Sequence, residues 1–175
     1  LFFGGNSDVT PGGLQDLCEE YDGSSWTESG DLPAALEGAA SFGTQTAAVR
    51  AGGSASPFPN YQTNTDEYNG SSWTAVPATI SQAVSKINGV GTETAGLIWG
   101  GSQSPNPPST SHPSIATTQT YNGSAFTTVN ACIEQIDGQG CGGTQTAAFG
   151  VGGSPGTKTT MQTWDGTNWS TGPAL

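Results

Sequence analysis

Tyr21-Asp-Gly-Ser-Ser-Trp26-Thr27 returns as Tyr68-Asn-Gly-Ser-Ser-Trp73-Thr74, then as Tyr121-Asn-Gly-Ser-Ala-Phe126-Thr127 and Trp164-Asp-Gly-Thr-Asn-Trp169-Ser170. The copies start 47, 53 and 43 residues apart. A near-constant period of this size marks an architecture in which each repeat is one supersecondary unit. Within the motif, Asp-Gly or Asn-Gly follows one aromatic residue and precedes another. That pair is the strongest short hairpin signal, because a type I′ turn needs positive φ at both central residues. Tyr21, Tyr68, Tyr121 and Trp164 are expected to end one strand, and Trp26, Trp73, Phe126 and Trp169 to lie in the next.

A second block keeps step with the first. It reads Gly43-Thr-Gln-Thr-Ala-Ala-Val-Arg-Ala-Gly52-Gly53, then Gly91-Thr-Glu-Thr-Ala-Gly-Leu-Ile-Trp-Gly100-Gly101, then Gly143-Thr-Gln-Thr-Ala-Ala-Phe-Gly-Val-Gly152-Gly153. The first copy is cut to Leu1-Phe-Phe-Gly4-Gly5. A short apolar run bounded by glycines suits a buried strand. The Gly-Gly pair ends it and lets backbone pass close to a neighbour. Ahead of the block lies Gly38-Ala-Ala-Ser-Phe-Gly43, with counterparts over 86–91 and 138–143, a narrow strand without room for side chains.

No helical period of useful length appears. The reading is all-β, with four antiparallel strands in each repeat of about 45 to 50 residues, the plan of a β-propeller blade. The expected repeats are roughly 1–37, 38–85, 86–137 and 138–175, in one propeller domain or propeller fragment. The first lacks its innermost strand, and an open inner edge leaves backbone groups unpaired. A longer parent chain, a strand from a neighbouring subunit or an open arc would each answer that, the first being favoured. The start at Leu1 rather than Met reads as processing or as part of a longer chain. The glycine-rich strand is expected innermost and the Trp strand outermost, with the aromatic rings packed between blades rather than touching ligand.

Composition fits this plan and excludes others. Leu, Ile, Val and Phe make up about 15% of the 175 residues, and Gly, Pro and Ser about 33%. Those figures resemble a disordered tail. A net charge of −11 is too weak to swell the chain, and 5 Trp, 4 Tyr and 6 Phe are rich for disorder. The only bases are Arg50, Lys86 and Lys158, too few to neutralise nucleic-acid phosphates or dock on an anionic membrane. No apolar run has bilayer length, so membrane insertion is not expected. Eight of the 14 acids precede residue 38 and read as a solvated acidic face.

Gly-Gly followed by Tyr and then Trp, at a period of about 50, resembles the kelch repeat, whose fold is a β-propeller. The form "YNGSSWT … GTQTAA … GG" is similar to degenerate kelch-like repeats of structural and tail-associated proteins of marine phages, over essentially the whole chain. Kelch repeats usually carry an Arg before the innermost strand, and that slot has lost its base here. The Asp-Gly-x-x-Trp element is also similar to the Asp-box of sialidase-like propellers, but misses it by one residue. The resemblance implies a non-enzymatic virion module (tail fibre, spike or capsid decoration), in a virion or extracellular setting. It would serve as an assembly platform or host-surface adhesin, with other virion or surface proteins, further copies of itself or a host glycan as partners. The alternatives are an extracellular carbohydrate-binding or glycan-processing propeller, and a generic kelch protein-interaction module.

Binding is expected on the face that carries the variable links, since loops of varied length on a rigid scaffold are where binding resides. These links run over 6–17, 54–65, 102–118 and 154–159. Phe58, Asn60 and Tyr61 in one, and His112 in the Pro-rich longest one, are the candidate residues for stacking on sugars and bonding to them. No catalytic residue, cofactor or metal site is expected. His112 is the only His, short of the two a copper radical oxidase of this scaffold needs, and tight Cys/His pairs are absent. Glu19, Glu20, Asp66 and Glu67 read as solvated strand residues. Asn69, Asn122 and Asn168 begin glycosylation-type triplets that follow from the turn motif. Cys132 and Cys141, nine apart, read as either a bridge across a loop or two free thiols, and Cys18 has no evident partner.

Overall fold

The computed structural model describes residues 1–7, 13–57, 59–104, 111–156 and 158–174. Phe58 lies outside the described residues, as do Pro105, Pro107 and Pro108. The described residues form 20 strands and no helix, and every strand pair is antiparallel.

The first sheet joins β1 (Phe2–Phe3), β2 (Cys18–Tyr21) and β3 (Trp26–Glu28). A short β4 (Leu36–Glu37) precedes β5 (Ala40–Thr44) and β6 (Ala47–Ala51). The link strands β7 (Ser54–Ala55) and β8 (Asn60–Tyr61) follow, then β9 (Asn64–Tyr68) and β10 (Trp73–Thr79). The second sheet has the order β10-β9-β6-β5. After β11 (Val84–Ser85) come β12 (Asn88–Thr92), β13 (Ala95–Trp99), the link strand β14 (Ser102–Gln103), β15 (Thr118–Tyr121) and β16 (Phe126–Val129). The third sheet runs β12-β13-β15-β16. The fourth is β17 (Gly140–Thr144), β18 (Ala147–Val151), β19 (Met161–Trp164) and β20 (Trp169–Thr171).

The chain is therefore all-β, and three of its sheets share one four-stranded plan. The first sheet has the second, third and fourth strands of that plan only. The sheets stack face to face, and β12 contacts both β5 and β17. One apolar layer lies between each consecutive pair. Phe3, Cys18 and Leu32 pack against Tyr68 and Trp73 of the second sheet. Phe42, Val49 and Ala51 of that sheet receive Tyr121 and Phe126 of the third. Val90, Leu97 and Trp99 of the third receive Trp164 and Trp169 of the fourth. The Tyr68–Trp73, Tyr121–Phe126 and Trp164–Trp169 pairs thus insert into the preceding sheet, with ring centroids 4.6–5.5 Å apart within a pair.

The Gly-Gly pairs stitch the first three sheets to the link that follows each. The Gly5, Gly53 and Gly101 N–H groups donate to the carbonyls of Leu36, Val84 and Ile136 at 2.8–2.9 Å. A Cβ on Gly100, whose φ is +66°, would stand 2.3 Å from the Ile136 carbonyl, so no side chain fits there.

The aromatic hairpins differ from the expected type I′ turn. Tyr21 pairs directly with Trp26 across a four-residue loop, and only the Gly has positive φ. Asp22 Oδ1 accepts the N–H groups of Ser24 at 2.8 Å and Ser25 at 2.9 Å. Asn69, Asn122 and Asp165 do the same in their copies. Asp or Asn recurs because its side-chain oxygen replaces a backbone turn acceptor. These bonds hold the Asp22 carboxyl down at about 2, and hold Asp165 below its usual value. A depressed folded-state pKa adds stability above the unfolded value near 4, and that part is lost as pH falls through the folded value. Thermal melts of Asp22→Asn/Asp165→Asn between pH 5 and pH 2 are expected to show a shallower acid decline than the parent, with the neutral-pH Tm retained.

Of the acids beside the repeat aromatics, Asp66 is not solvated as expected, while Glu19, Glu20 and Glu67 stay half-exposed. Asp66 is buried and paired with Arg50. Glu20 accepts from the Tyr68 hydroxyl and from Gln45 Nε2 at 3.2 Å. Glu67 accepts from the Tyr121 hydroxyl at 2.6 Å. Strand alternation turns Glu20 and Glu67 toward the next sheet, where a tyrosine hydroxyl needs an acceptor.

Candidate functional site

The links that were expected to share a face do meet. β4 pairs with β7, β11 pairs with β14, and Asp137 bridges to Ser154. On the other side, Gly70, Gly123 and Gly166 of the aromatic hairpins lie against Thr46, Thr94 and Thr146 of the Gly-Thr-x-Thr turns.

Where the links converge, Glu37, Gly38, Tyr61, Ser85, Lys86, Ser102, His112, Asp137 and Ser154 line a cleft of about 470 Å³. Tyr61 stands at the end of β8, held by the pairing of β8 with β7. His112 precedes the Ser102–Ser114 bridge, and Ser102 Oγ donates to its carbonyl at 3.3 Å. The Tyr61 hydroxyl and His112 Nδ1 are 2.8 Å apart, with ring centroids at 5.9 Å. Burial pushes the Tyr61 hydroxyl above its ordinary value, a hydrogen bond with Ser102 draws it back, and the charges of Asp137 and Glu37 add to the rise.

Of the four expected binding residues, the structure joins Tyr61 and His112. Asn60 is exposed, and its carbonyl and Oδ1 accept from Gln62 Nε2 at 3.0 and 2.9 Å. Phe58 falls outside the described residues.

Seven other lining residues were missed, and they occupy matching repeat slots. Ser102 and Ser154 each follow a Gly-Gly pair. Glu37, Ser85 and Asp137 each follow the apolar residue that accepts from a Gly-Gly N–H. Lys86 takes the slot of Gly38 and Gly138. All three have left-handed backbone, with φ of 65°, 55° and 60° at 38, 86 and 138. Lys86 is the one described non-glycine residue with positive φ, a conformation that costs a side chain about 1 kcal/mol or more. Asp137 is buried, and its Oδ2 accepts from Ser114 Oγ at 2.6 Å. The cleft thus gathers a base, two carboxylates, hydroxyls and an aromatic pair.

The repeat aromatics Tyr68, Trp73, Tyr121, Trp164 and Trp169 are buried, Phe126 is half-buried, and Tyr21 and Trp26 are exposed. Cys132 and Cys141 are free thiols, not a bridge. Cys132 Sγ donates to the Glu134 carbonyl at 3.1 Å, and Cys141 Sγ to the Gly89 carbonyl of the neighbouring sheet at 3.7 Å. Burial pushes the Cys132 thiol up to about 12 and raises Cys18 as well. Among the described residues, no group of three or more His, Cys, Asp or Glu gathers to hold a metal ion. No protein-family model matches the chain, and no curated protein is significantly similar to it.

Proposed function

We propose that the chain is a non-enzymatic kelch-like β-propeller module, in a virion or extracellular setting, whose link-face cleft binds a surface glycan. Sheets of one strand order, stacked in sequence with β12 between β5 and β17, support reading each sheet as a blade. The virion setting and the role of host-surface adhesin or assembly platform rest on the repeat resemblance, and copurification with tail or capsid proteins tests them.

The observation that carries the binding reading is the Tyr61–His112 pair over the cleft. A sugar presents hydroxyls that donate and accept, and ring faces that stack. The cleft answers with Lys86 as donor, Glu37 and Asp137 as acceptors, serine hydroxyls and two rings. Lys86 adds support, since a residue held in strained backbone at a cleft points to a role for its side chain.

A glycan array is expected to show specific binding by the parent chain. Tyr61→Ala and Lys86→Gly are each expected to weaken it about tenfold or more. Lys86→Gly is expected to melt at the parent temperature or higher, because glycine removes the left-handed strain. Binding indifferent to both substitutions overturns the assignment of the cleft.

The shared presence of Glu37 and Asp137 favours one second reading, glycan processing. Release of reducing ends from a bound glycan, abolished by Asp137→Asn, would establish it against the non-enzymatic one.

A further inference from the structure

The two ends of the stack expose the two halves of one interface. Positions that a following sheet covers are fully buried in the middle of the molecule: Val49 and Leu97 are 0% exposed. Their counterpart on the fourth sheet is Phe149, which is 40% exposed. Positions that insert into a preceding sheet are likewise buried: Tyr68 and Tyr121 are 0% exposed and Trp73 is 7%. Their counterparts on the first sheet are Tyr21 at 42% and Trp26 at 54%. Phe2, on the same outer face, is 58% exposed. Exposed large apolar residues grouped on one face mark an interaction surface.

The receiving face of the fourth sheet keeps the chemistry of the covered ones. The cross-strand pair that meets an incoming aromatic is Phe42 with Val49 in the second sheet and Val90 with Leu97 in the third. In the fourth it is Gly142 with Phe149. The large ring has moved from the inner strand to the next one, and the Phe149 ring lies 3.1 Å from where a Gly142 Cβ would stand. A bulky apolar member is thus retained on a face that no described residue covers.

We infer that copies of this chain associate head to tail, the Tyr21–Trp26 face of one copy docking on the Phe149 face of the next. The contact continues a packing already made three times inside the chain, between consecutive sheets. It is heterologous, with different surfaces on its two sides, so it closes into a ring or extends as a filament. It does not depend on the ligand of the cleft.

The test is sedimentation and light scattering on the full chain across about 1–100 µM. The parent is expected to form species of at least twice 17.6 kDa. Trp26→Ser and Phe149→Ser are each expected to raise the dissociation constant about tenfold or more. Both positions are exposed, so each variant is expected to keep the parent circular dichroism and melting temperature as a monomer. A mixture of the two variants is expected to reassociate, because each retains the face that the other lacks. A monomeric parent at 100 µM, variants that associate like the parent, or a mixture that stays monomeric overturns the inference. One variant alone that associates like the parent identifies a symmetric contact of the face it retains instead.

Discussion

Asp66→Ala is expected to destabilise the chain by about 3–5 kcal/mol, because it leaves the Arg50 guanidinium buried without a counter-charge. Both side chains are almost wholly enclosed, at 4% and 2% exposure. Arg50 also donates to the carbonyls of Gly52 at 3.0 Å and Asn64 at 3.2 Å, while its Nε is unpartnered. Burial pulls the guanidinium below its usual value and the Asp66 charge opposes that pull. The reason for the pair lies in the repeat. The counterparts of Asp66 are Gln119 and Gln162, whose Oε1 atoms accept the N–H groups of Ser81 at 3.1 Å and Ile133 at 2.7 Å in the preceding link. The matching link position ahead of the second sheet is Pro33, which has no N–H to give. Arg50 supplies the donor there, where the third sheet has Ile98. Urea unfolding checks the prediction. Arg50→Met/Asp66→Leu is expected to recover at least half of the loss, since apolar replacement of both partners is well tolerated. A single substitution that costs under about 1 kcal/mol would show that water reaches Arg50.

Trp99→Ala is expected to cost about 3–5 kcal/mol and to lower Tm by roughly 10 °C or more. Trp99 is fully buried between the third and fourth sheets. Its ring lies 5.0 Å from Trp169, and its Nε1 donates to Gln139 Oε1 at 2.8 Å. The substitution opens a cavity and leaves a buried carboxamide oxygen without its donor. Trp99→Phe fills most of the space but still strands Gln139, so it is expected to cost about 1–3 kcal/mol. Calorimetry on the two variants separates the packing part from the hydrogen-bond part.

The strand plan was legible because glycine placement is a backbone demand. The Gly-Gly pairs, the hairpin glycines and Gly43, Gly91 and Gly143 all adopt positive φ, which the repeat motif marks residue by residue. The turn type was misread because Asp and Asn carry two signals, tolerance of left-handed backbone and a side-chain acceptor, and here the second decides. The partners of Glu20, Asp66 and Glu67 were not legible, since a charged residue in an alternating strand looks alike whether it faces water or the next sheet. Tyr61 and His112 were found as loop residues, but their contact joins links 51 positions apart, and no local pattern encodes that. Lys86 did carry a signal: a lysine stands where aligned copies have Gly38 and Gly138. Aligning repeats position by position, rather than motif by motif, would have exposed it.

The layered packing also shapes how the molecule comes apart. The extensive contacts between strands of different sheets join consecutive sheets. Stability then resembles a row of coupled units, each with its own free energy and a coupling to its neighbours. The middle sheets are clamped on both faces and the end sheets on one, and the first sheet also rests on a two-residue β1. Opening should run inward from the ends, so amide protons of β6, β9, β13 and β15 would exchange slowest and those of β1 to β3 fastest. A chain of this design frays at its end sheets before the clamped middle sheets give way.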